Sequence, residues 1–221
     1  MTTQQKKTFS ILVTGIGGLG VMWMSKVIAC AANSSHRYVC RTETRGLSQR
    51  GGAVCSEVRF GCTPLTPVTA CGNEDMILSL DALEAVRVLH CLRTDGTLLT
   101  NEDFSTPAHL TSKWSAEGQE HEHATRLKNR IGNVLNASPQ TIVCFDLRSL
   151  ARNAGSEKML NTVLMGAASL FIPVDSDELF RVVSAHVKPE QQAMNERAFM
   201  LGREAASCHT EMPRTEILRS A

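Results

Sequence analysis

The stretch that decides the fold runs from Phe9 to Gly61 and reads FSILVTGIGGLGVMWMSKVIACAANSSHRYVCRTETRGLSQRGGAVCSEVRFG. A short apolar run at residues 10 to 13 ends at GIGGLG, residues 15 to 20, and apolar residues then recur at helical spacing from Val21 to Ala32. This pattern predicts a strand, a glycine turn and a helix. Glycines suit the turn because the chain reverses sharply there and a ligand can approach the bare backbone. The first N–H groups of the helix point outward and favour an anion.

A second unusual loop follows the next strand, which is predicted at residues 37 to 42. The loop reads ETRGLSQRGG from Glu43 to Gly52 and holds three glycines, two arginines, a carboxylate and a glutamine. A hydrophobic core requires no such composition, and the guanidinium groups suit phosphate or carboxylate oxygens. The candidate site residues are Gly15, Gly17, Gly18 and Gly20 of the glycine turn, and Glu43, Thr44, Arg45, Gln49, Arg50, Gly51 and Gly52 of the second loop.

Composition limits the function classes. The 221 residues are 43% hydrophobic and 20% charged, which indicates a single domain over residues 1–221 with an ordered core from about 9 to 206. A net charge of +1 and an aromatic content of 5% give no reason to expect nucleic acid or a membrane surface as a partner. The N-terminal apolar run is too short for a signal peptide, and no apolar span approaches the roughly 20 residues of a membrane helix. A cytoplasmic location is expected.

Cysteine and histidine spacing predicts no metal site. The eight cysteines include no CxxC pair or other close group, whereas iron–sulfur and zinc sites draw on closely spaced thiolates. Most of them fit strand or helix patterns as small core residues, in keeping with a reducing cytosol. The EHEH run at residues 120 to 123 is interpreted as a solvated helix start, because side chains two residues apart point to different helix faces.

The rest of the chain alternates strands and helices. An alternating strand over Ala53–Phe60 forms a hairpin with the strand before it. The later segments predict strands at 75–80, 97–101 and 141–146, a turn at Thr94–Gly96, and helices at 81–89, 118–135, 161–171, 175–187 and from Pro189 onward, the first capped by Asp81 with Glu84 at the capping-box position. Such alternation implies a three-layer α/β fold, with a mainly parallel sheet and helices on both faces.

TGIGGLGV followed by ETRGLSQRGGAVCSEVRFG resembles the γ-type component of the 2-oxoacid:ferredoxin oxidoreductases. Among these, the sequence is most similar to the small β subunits of the indolepyruvate enzymes, which consist of this domain alone. The family typically reads GxGGQG and ET(H/R)GMSQRGG, so Leu19 replaces a glutamine and Leu47 a methionine. NTVLMGAASLF and MNERAFMLG near the C-terminus are also similar to family segments, and the resemblance covers about Ser10 to Ala206.

The resemblance implies a complex that converts a 2-oxoacid, coenzyme A and oxidised ferredoxin into an acyl-CoA, carbon dioxide and reduced ferredoxin. This chain lacks the GDG thiamine signature and closely spaced cluster cysteines, so it is expected to be an accessory subunit without catalytic residues or a cofactor of its own. Thiamine diphosphate, Mg²⁺ and [4Fe–4S] clusters are expected on a large partner subunit, in a cytoplasmic hetero-oligomer of an anaerobe. Coenzyme A would be a co-substrate, ferredoxin the acceptor and an aryl pyruvate such as indolepyruvate the favoured oxoacid.

The second loop then has two interpretations. In the first, Arg45, Gln49 and Arg50 face the active-site mouth of the partner and position coenzyme A or the oxoacid, while Glu43 and Thr44 brace the loop. In the second, Glu43 pairs with an arginine locally and the glycines only permit tight packing against the large subunit. A purely scaffolding subunit also fits the sequence.

Two other enzyme classes share the first motif. A Rossmann dehydrogenase also begins with strand, GxGxxG and helix, and Glu43 lies 23 residues after Gly20, near the offset of its ribose-binding acid. However, the SQRGG turn and the alternating strand after it do not fit that fold. An adenylyltransferase of the ubiquitin-activating type also reads GIGGLG, but its acidic segment and zinc-binding CxxC pairs are missing here.

Overall fold

A six-stranded sheet forms the middle layer of the protein. The structure is a computed structural model that describes residues 8–45, 51–106, 111 and 120–210. The strands lie in the order β2-β3-β1-β4-β5-β6. β3 is antiparallel to β2 and β1, whereas β1, β4, β5 and β6 are parallel neighbours. The strands are β1 Thr8–Ile16, β2 Tyr38–Arg45, β3 Ala53–Gly61, β4 Glu74–Ser79, β5 Leu92–Asn101 and β6 Thr141–Phe145.

Helices cover both faces of this sheet, so the predicted three-layer, mainly parallel architecture is confirmed. Alternate residues of each central strand point to opposite faces. Ile11 packs in the cluster that contains α1 and α4 to α7, and Leu98 packs in the cluster under α2 and α3. The helices are α1 Val21–Ala32, α2 Ala82–Val88, α3 Glu120–Asn136, α4 Leu147–Ala154, α5 Leu160–Ala168, α6 Ser176–Ala185 and α7 Gln192–Thr210. None of the described helices is long and apolar enough to cross a membrane.

The helices α5 and α7 cross with their backbones in contact. A Cβ atom at Gly166 would overlap the carbonyl group of Phe199, and one at Gly202 would overlap the carbonyl group of Val163. α5 was predicted to pack tightly because it is apolar on nearly all sides, and its residues from Thr162 to Ala168 are buried. Two glycines therefore set the distance between these helices, and α5 is held between α7 and the sheet.

Several predicted boundaries were wrong. The sequence-based strand at residues 37 to 42 extends to Arg45, because Glu43, Thr44 and Arg45 pair with Ser56, Cys55 and Val54 of β3. Gly15 likewise belongs to β1 and pairs with Val54. The second loop is consequently shorter than predicted, and both motifs begin on paired strands.

The predicted turn at Thr94–Gly96 lies inside β5. Glu74 of β4 pairs with Leu92, but Met76 pairs with Thr97, so residues 93 to 96 form an irregular, looped-out part of the strand. Turn-forming residues here mark a bulge rather than the end of the strand. The helix α4 was not predicted. It begins after Asp146, whose side chain accepts a hydrogen bond from the backbone N–H of Ser149 (2.9 Å).

The predicted cap of α2 is present in part. The Asp81 carboxylate accepts hydrogen bonds from the N–H groups of Leu83 (3.0 Å) and Glu84 (3.1 Å). Glu84, however, pairs with Arg87 (2.6 Å) instead of reaching back to Asp81. The backbone N–H of Asp81 donates to Ser79 Oγ (3.3 Å), so that donor is already satisfied and the reciprocal half of the capping box is not made.

Candidate functional site

The glycine turn connects β1 to α1 with two residues in the left-handed region. Gly18 has φ 108° and Gly20 has φ 94°, conformations that favour glycine. Gly20 is the N-cap residue of α1 and offers no side-chain cap, and the first turn of α1 contains no acidic residue. The positive end of the helix macrodipole is therefore not neutralised by a carboxylate from this first turn, which suits an anion or a partner carbonyl group.

Close packing fixes the two ends of this turn. A Cβ atom at Gly15 would lie 3.1 Å from Val21 Cγ2 and 3.2 Å from Leu80 Cβ, so the glycine lets β1 approach α1 and β4. A Cβ atom at Gly20 would collide with the side-chain amide of Asn161, the second residue of α5. Gly15 thus has a packing role, and Gly20 lies directly against a polar side chain.

The two loops that the sequence pairs are joined in space. The backbone N–H of Gly17 donates a hydrogen bond to the carbonyl oxygen of Gly52 (2.9 Å). The neighbouring strand residues Ile16 and Ala53 are register partners in the β1–β3 ladder. The glycine turn and the end of the second loop therefore lie side by side at one edge of the sheet.

Part of the second loop lies outside the described residues. Residues 46 to 50, which include the candidates Gln49 and Arg50, are not described, nor is the side chain of Arg45. The described ends of the loop are Arg45 on β2 and Gly51, which has φ 70°. The interpretation of Arg45, Gln49 and Arg50 as ligand-facing residues accordingly stays a prediction.

Glu43 forms a local ion pair, as the second interpretation of the loop expected. Its Oε1 lies 2.6 Å from Arg41 Nη1, and the two side chains are 27% and 31% exposed, respectively. Arg41 Nη1 also donates to Ser25 Oγ of α1 (3.2 Å). The pair connects the end of β2 to the helix that follows the glycine turn. Thr44 is exposed on the same strand.

A cavity of about 360 Å³ opens beside the glycine turn. Its lining is mostly apolar, apart from backbone groups, and Trp23 holds its place because Nε1 donates to the carbonyl oxygen of His186 (3.4 Å). Neither Trp23 nor Asn161 was predicted to belong to the site, although the tryptophan stands out in the sequence because it follows shortly after the glycine motif. The lining residues are Ile16, Gly17, Gly18, Gly20, Val21, Met22, Trp23 and Val54.

Thr14 and Cys55 are neighbours on β1 and β3, on the face of the sheet opposite α1. Thr14 Oγ1 and Cys55 Sγ are 3.3 Å apart, and Thr14 is fully buried. Burial raises the pKa of the Cys55 thiol, and the hydrogen bond with Thr14 offsets only part of this effect. Cys55 is therefore protonated near neutral pH and is a poor nucleophile.

The sheet order argues against a dinucleotide-binding dehydrogenase. In that fold the second strand lies next to the first and ends in the acid that binds the ribose. Here β3 separates β1 from β2, so Glu43 lies about 10 Å from β1, two strand spacings away. Glu43 is also paired with Arg41.

Comparison with known proteins gives the same assignment as the motifs. Residues 10–205 match the family model for pyruvate ferredoxin/flavodoxin oxidoreductase. Indolepyruvate oxidoreductase subunit IorB of Thermococcus kodakarensis is 30% identical over 202 residues, which are 90% of this chain and 96% of that protein. The subunit of the same name from Pyrococcus horikoshii is 29% identical, with the same coverage.

Solved structures share the fold. The γ subunit of keto/oxoacid ferredoxin oxidoreductase from Geobacter sulfurreducens has a TM-score of 0.64 at 20% identity, covering 90% of this chain and 99% of that one. The 2-oxoglutarate:ferredoxin oxidoreductase from Magnetococcus marinus, solved with 2-oxoglutarate, coenzyme A and succinyl-CoA bound, has a TM-score of 0.71 at 18% identity. The match covers 95% of this chain and 33% of that one. The resemblance inferred from the two loops is confirmed: the chain belongs to the pyruvate ferredoxin/flavodoxin oxidoreductase family, as a γ-type accessory subunit of a 2-oxoacid:ferredoxin oxidoreductase.

Proposed function

We propose that this chain is the accessory subunit of a thiamine-diphosphate-dependent indolepyruvate:ferredoxin oxidoreductase. The complex would oxidatively decarboxylate an aryl pyruvate to an acyl-CoA and carbon dioxide and pass the electrons to ferredoxin. The observation that carries the proposal is the hydrogen bond from Gly17 to Gly52, because it joins the glycine turn to the end of the second loop. The names of the archaeal relatives support indolepyruvate as the oxoacid.

The cofactors belong to a larger partner in this proposal. Thiamine diphosphate supplies the decarboxylation chemistry when bound, and Mg²⁺ and [4Fe–4S] clusters accompany it on the partner subunit. Four thiolates are needed to hold such a cluster, whereas among the described residues only Cys71 and Cys91 form part of a group of candidate ligands. This chain works as part of a cytoplasmic hetero-oligomer and is inactive alone.

The second loop would face the active site of the partner. The described ends of this loop are held by the β2–β3 ladder and by the bond to Gly17, beside the glycine turn. Arg45 and Arg50 carry the charge that coenzyme A phosphates or an oxoacid carboxylate require, and Gln49 adds an amide. Coenzyme A in the related Magnetococcus marinus structure supports this ligand class.

The test uses the chain co-purified with its partner subunit. Viologen reduction is measured with a panel of oxoacids, with and without coenzyme A, for the native complex and for Arg50→Ala, Arg50→Lys and Arg130→Ala. Arg130 is an exposed residue of α3 and serves as the matched control. We expect indolepyruvate to be the best substrate and Arg50→Ala to raise the KM for coenzyme A or the oxoacid at least tenfold, with partial rescue by lysine.

Two results would contradict the proposal. If the Arg50→Ala complex assembles normally and keeps native kinetics for both substrates, the loop does not position either of them. If the native chain purifies without a partner, or catalyses a reaction alone, the accessory role is wrong.

A further inference from the structure

Three ligand atoms converge at the edge of the sheet opposite the glycine turn. A ring nitrogen of His90 and the sulfur atoms of Cys71 and Cys91 all lie within 4.8 Å of one another. Cys91 Sγ is 3.5 Å from His90 Nε2, and neither cysteine is in a disulfide. Cys71 Sγ is also 3.5 Å from the carbonyl oxygen of His90. The spacing of the cysteines in the sequence predicted no metal site, and this group is visible only in the three-dimensional structure.

Parallel strand pairing brings these residues together. Cys71 lies in the turn before β4, and Cys91 ends the short 3₁₀ turn Leu89–Cys91 before β5. Glu74 and Leu92 are register partners at the start of these strands, so the residues just before them meet at the same edge. His90 follows Cys71 by 19 residues. The intervening segment contains β4 and α2, so this proximity is not visible in the sequence.

The backbone of the turn fits this arrangement. Gly72 has φ 79°, which favours glycine, and the N–H of Asn73 donates to the carbonyl oxygen of Ala70 (3.1 Å). A Cβ atom at Gly72 would lie 3.8 Å from the carbonyl oxygen of His90, so the turn packs directly on the 3₁₀ segment. The side chain of Cys71 is thereby held over His90 and Cys91.

The donor set and its spacing fit a zinc-class ion. Two thiolates and one imidazole are a combination that Zn²⁺ accepts, whereas hard cations prefer oxygen ligands. A sulfur about 2.3 Å and a nitrogen about 2.0 Å from a tetrahedral ion are about 3.5 Å apart. The observed distance between Cys91 Sγ and His90 Nε2 is 3.5 Å. We propose that Cys71, His90 and Cys91 bind one Zn²⁺ per chain, with water in the fourth position.

The site would be structural. It lies at the amino ends of β4 and β5, whereas the glycine turn follows the carboxyl end of β1, which is parallel to β4. Binding releases the two thiol protons as the thiolates form, and the ion then ties the starts of two strands together. The inference does not depend on the oxoacid or on the role of the second loop.

Metal titration of the full-length chain tests the proposal. The chain is stripped with a chelator, kept reduced with a phosphine, and titrated with Zn²⁺ at pH 7 against a chromogenic competitor, and with Co²⁺ by absorption spectroscopy. We expect one equivalent to bind, intense visible d–d bands of tetrahedral Co²⁺ with sulfur-to-cobalt charge transfer, and a higher Tm with Zn²⁺. Cys71→Ser, His90→Ala and Cys91→Ser should each weaken Zn²⁺ binding at least about tenfold.

Cys62→Ser provides the matched control, because Cys62 is exposed and lies outside the group. It should keep native affinity and the native Co²⁺ spectrum. The proposal is overturned if Co²⁺ gives only weak octahedral bands, or if the chain binds less than half an equivalent of Zn²⁺. It also fails if Cys71 and Cys91 form a disulfide in the native chain and the reduced chain does not bind Zn²⁺. Equal loss of Zn²⁺ binding in the Cys62 and Cys71 variants would likewise contradict it.

Discussion

Gly17 donates its backbone N–H to the carbonyl oxygen of Gly52 across 2.9 Å, and this contact joins the glycine turn to the end of the second loop. A dinucleotide-binding turn offers its backbone N–H groups to a pyrophosphate. Here one of those donors is already used by the protein itself. The turn therefore has one donor fewer for a pyrophosphate than a dinucleotide-binding turn of the same GxGxxG spacing.

Neither NADH nor ATP should bind tightly to the isolated chain, because Gly52 uses a donor of the turn and β3 separates Glu43 from β1. Calorimetric titration and the fluorescence of Trp23, which lines the cavity at the turn, are the measurements. An NADH-dependent dehydrogenase is the positive control. Saturable binding of either nucleotide in the low micromolar range would contradict this prediction and favour a dehydrogenase or an adenylyltransferase.

Gly166→Ala should destabilise the chain by at least about 3 kcal/mol or prevent folding, because the new methyl group overlaps the carbonyl group of Phe199. Gly132→Ala in α3 is the matched control, since its added Cβ would have no atom within 4 Å apart from its chain neighbours and the backbone of its own helix. It should stabilise the chain by up to about 1 kcal/mol through helix propensity. Urea unfolding followed by circular dichroism measures both, and equal effects of the two substitutions would be inconsistent with a backbone contact at Gly166.

The side chain of Asp81 should contribute more to the unfolding free energy than an ordinary helix cap does. Besides capping α2, its second carboxylate oxygen accepts a hydrogen bond from the N–H of Ser105 (2.6 Å), and the residue is 1% exposed. Asp81→Ala should cost about 2–4 kcal/mol in unfolding free energy. Asp175→Ala, at the exposed cap of α6, should cost about 1 kcal/mol.

Asp81→Asn separates the two roles of this carboxylate. The asparagine oxygen can still cap α2, but its NH₂ group cannot accept the hydrogen bond from Ser105. Asp81→Asn should therefore lower the unfolding free energy, but by less than Asp81→Ala does. If Asp81→Ala costs no more than Asp175→Ala, and Asp81→Asn costs nothing, the bond to Ser105 contributes nothing to stability.

Glu74 should make stability depend on pH. Burial, followed by repulsion from Glu57, raises its pKa from 4.5 to about 7. Between these values the folded chain holds a proton that the unfolded chain has released, so the unfolding free energy falls as pH rises from about 4.5 to 7. The loss is at most about 3 kcal/mol. Above about pH 7 this contribution is constant, because both states have lost the proton.

Glu74→Gln should remove this part of the pH dependence and make the chain more stable than native at pH 8. Urea unfolding at several pH values from 4 to 8 measures the slope. Glu190→Gln, at an exposed glutamate, should leave the slope unchanged. A Glu74→Gln variant with the native slope would mean that another group is responsible.

Local patterns predicted much of this fold. The strand, glycine turn and helix from Thr8 to Ala32 follow from an apolar run, a glycine cluster and a helical period, all of which lie within one short segment. The cap at Asp81 was predictable for the same reason, because an N-cap depends on the next three residues. The family motifs added the pairing of the two loops.

Non-local pairing was harder to predict. Nothing in the local pattern of β3 says that it inserts between β1 and β2, or that β2 continues to Arg45 by pairing with Val54. The group of Cys71, His90 and Cys91 was not predicted, because its members meet only when β4 and β5 pair. Thr94–Gly96 has turn propensity, but the ladder continues past it after a bulge.

Asn161 stands at the start of α5 and lies against Gly20, while α5 itself is locked onto α7 at Gly166 and Gly202. The glycine turn therefore rests on a helix pair with little freedom to shift. A surface that is already in its final shape loses little conformational entropy when it associates. In the proposed complex, docking of the partner subunit at this edge would therefore cost this chain little conformational entropy.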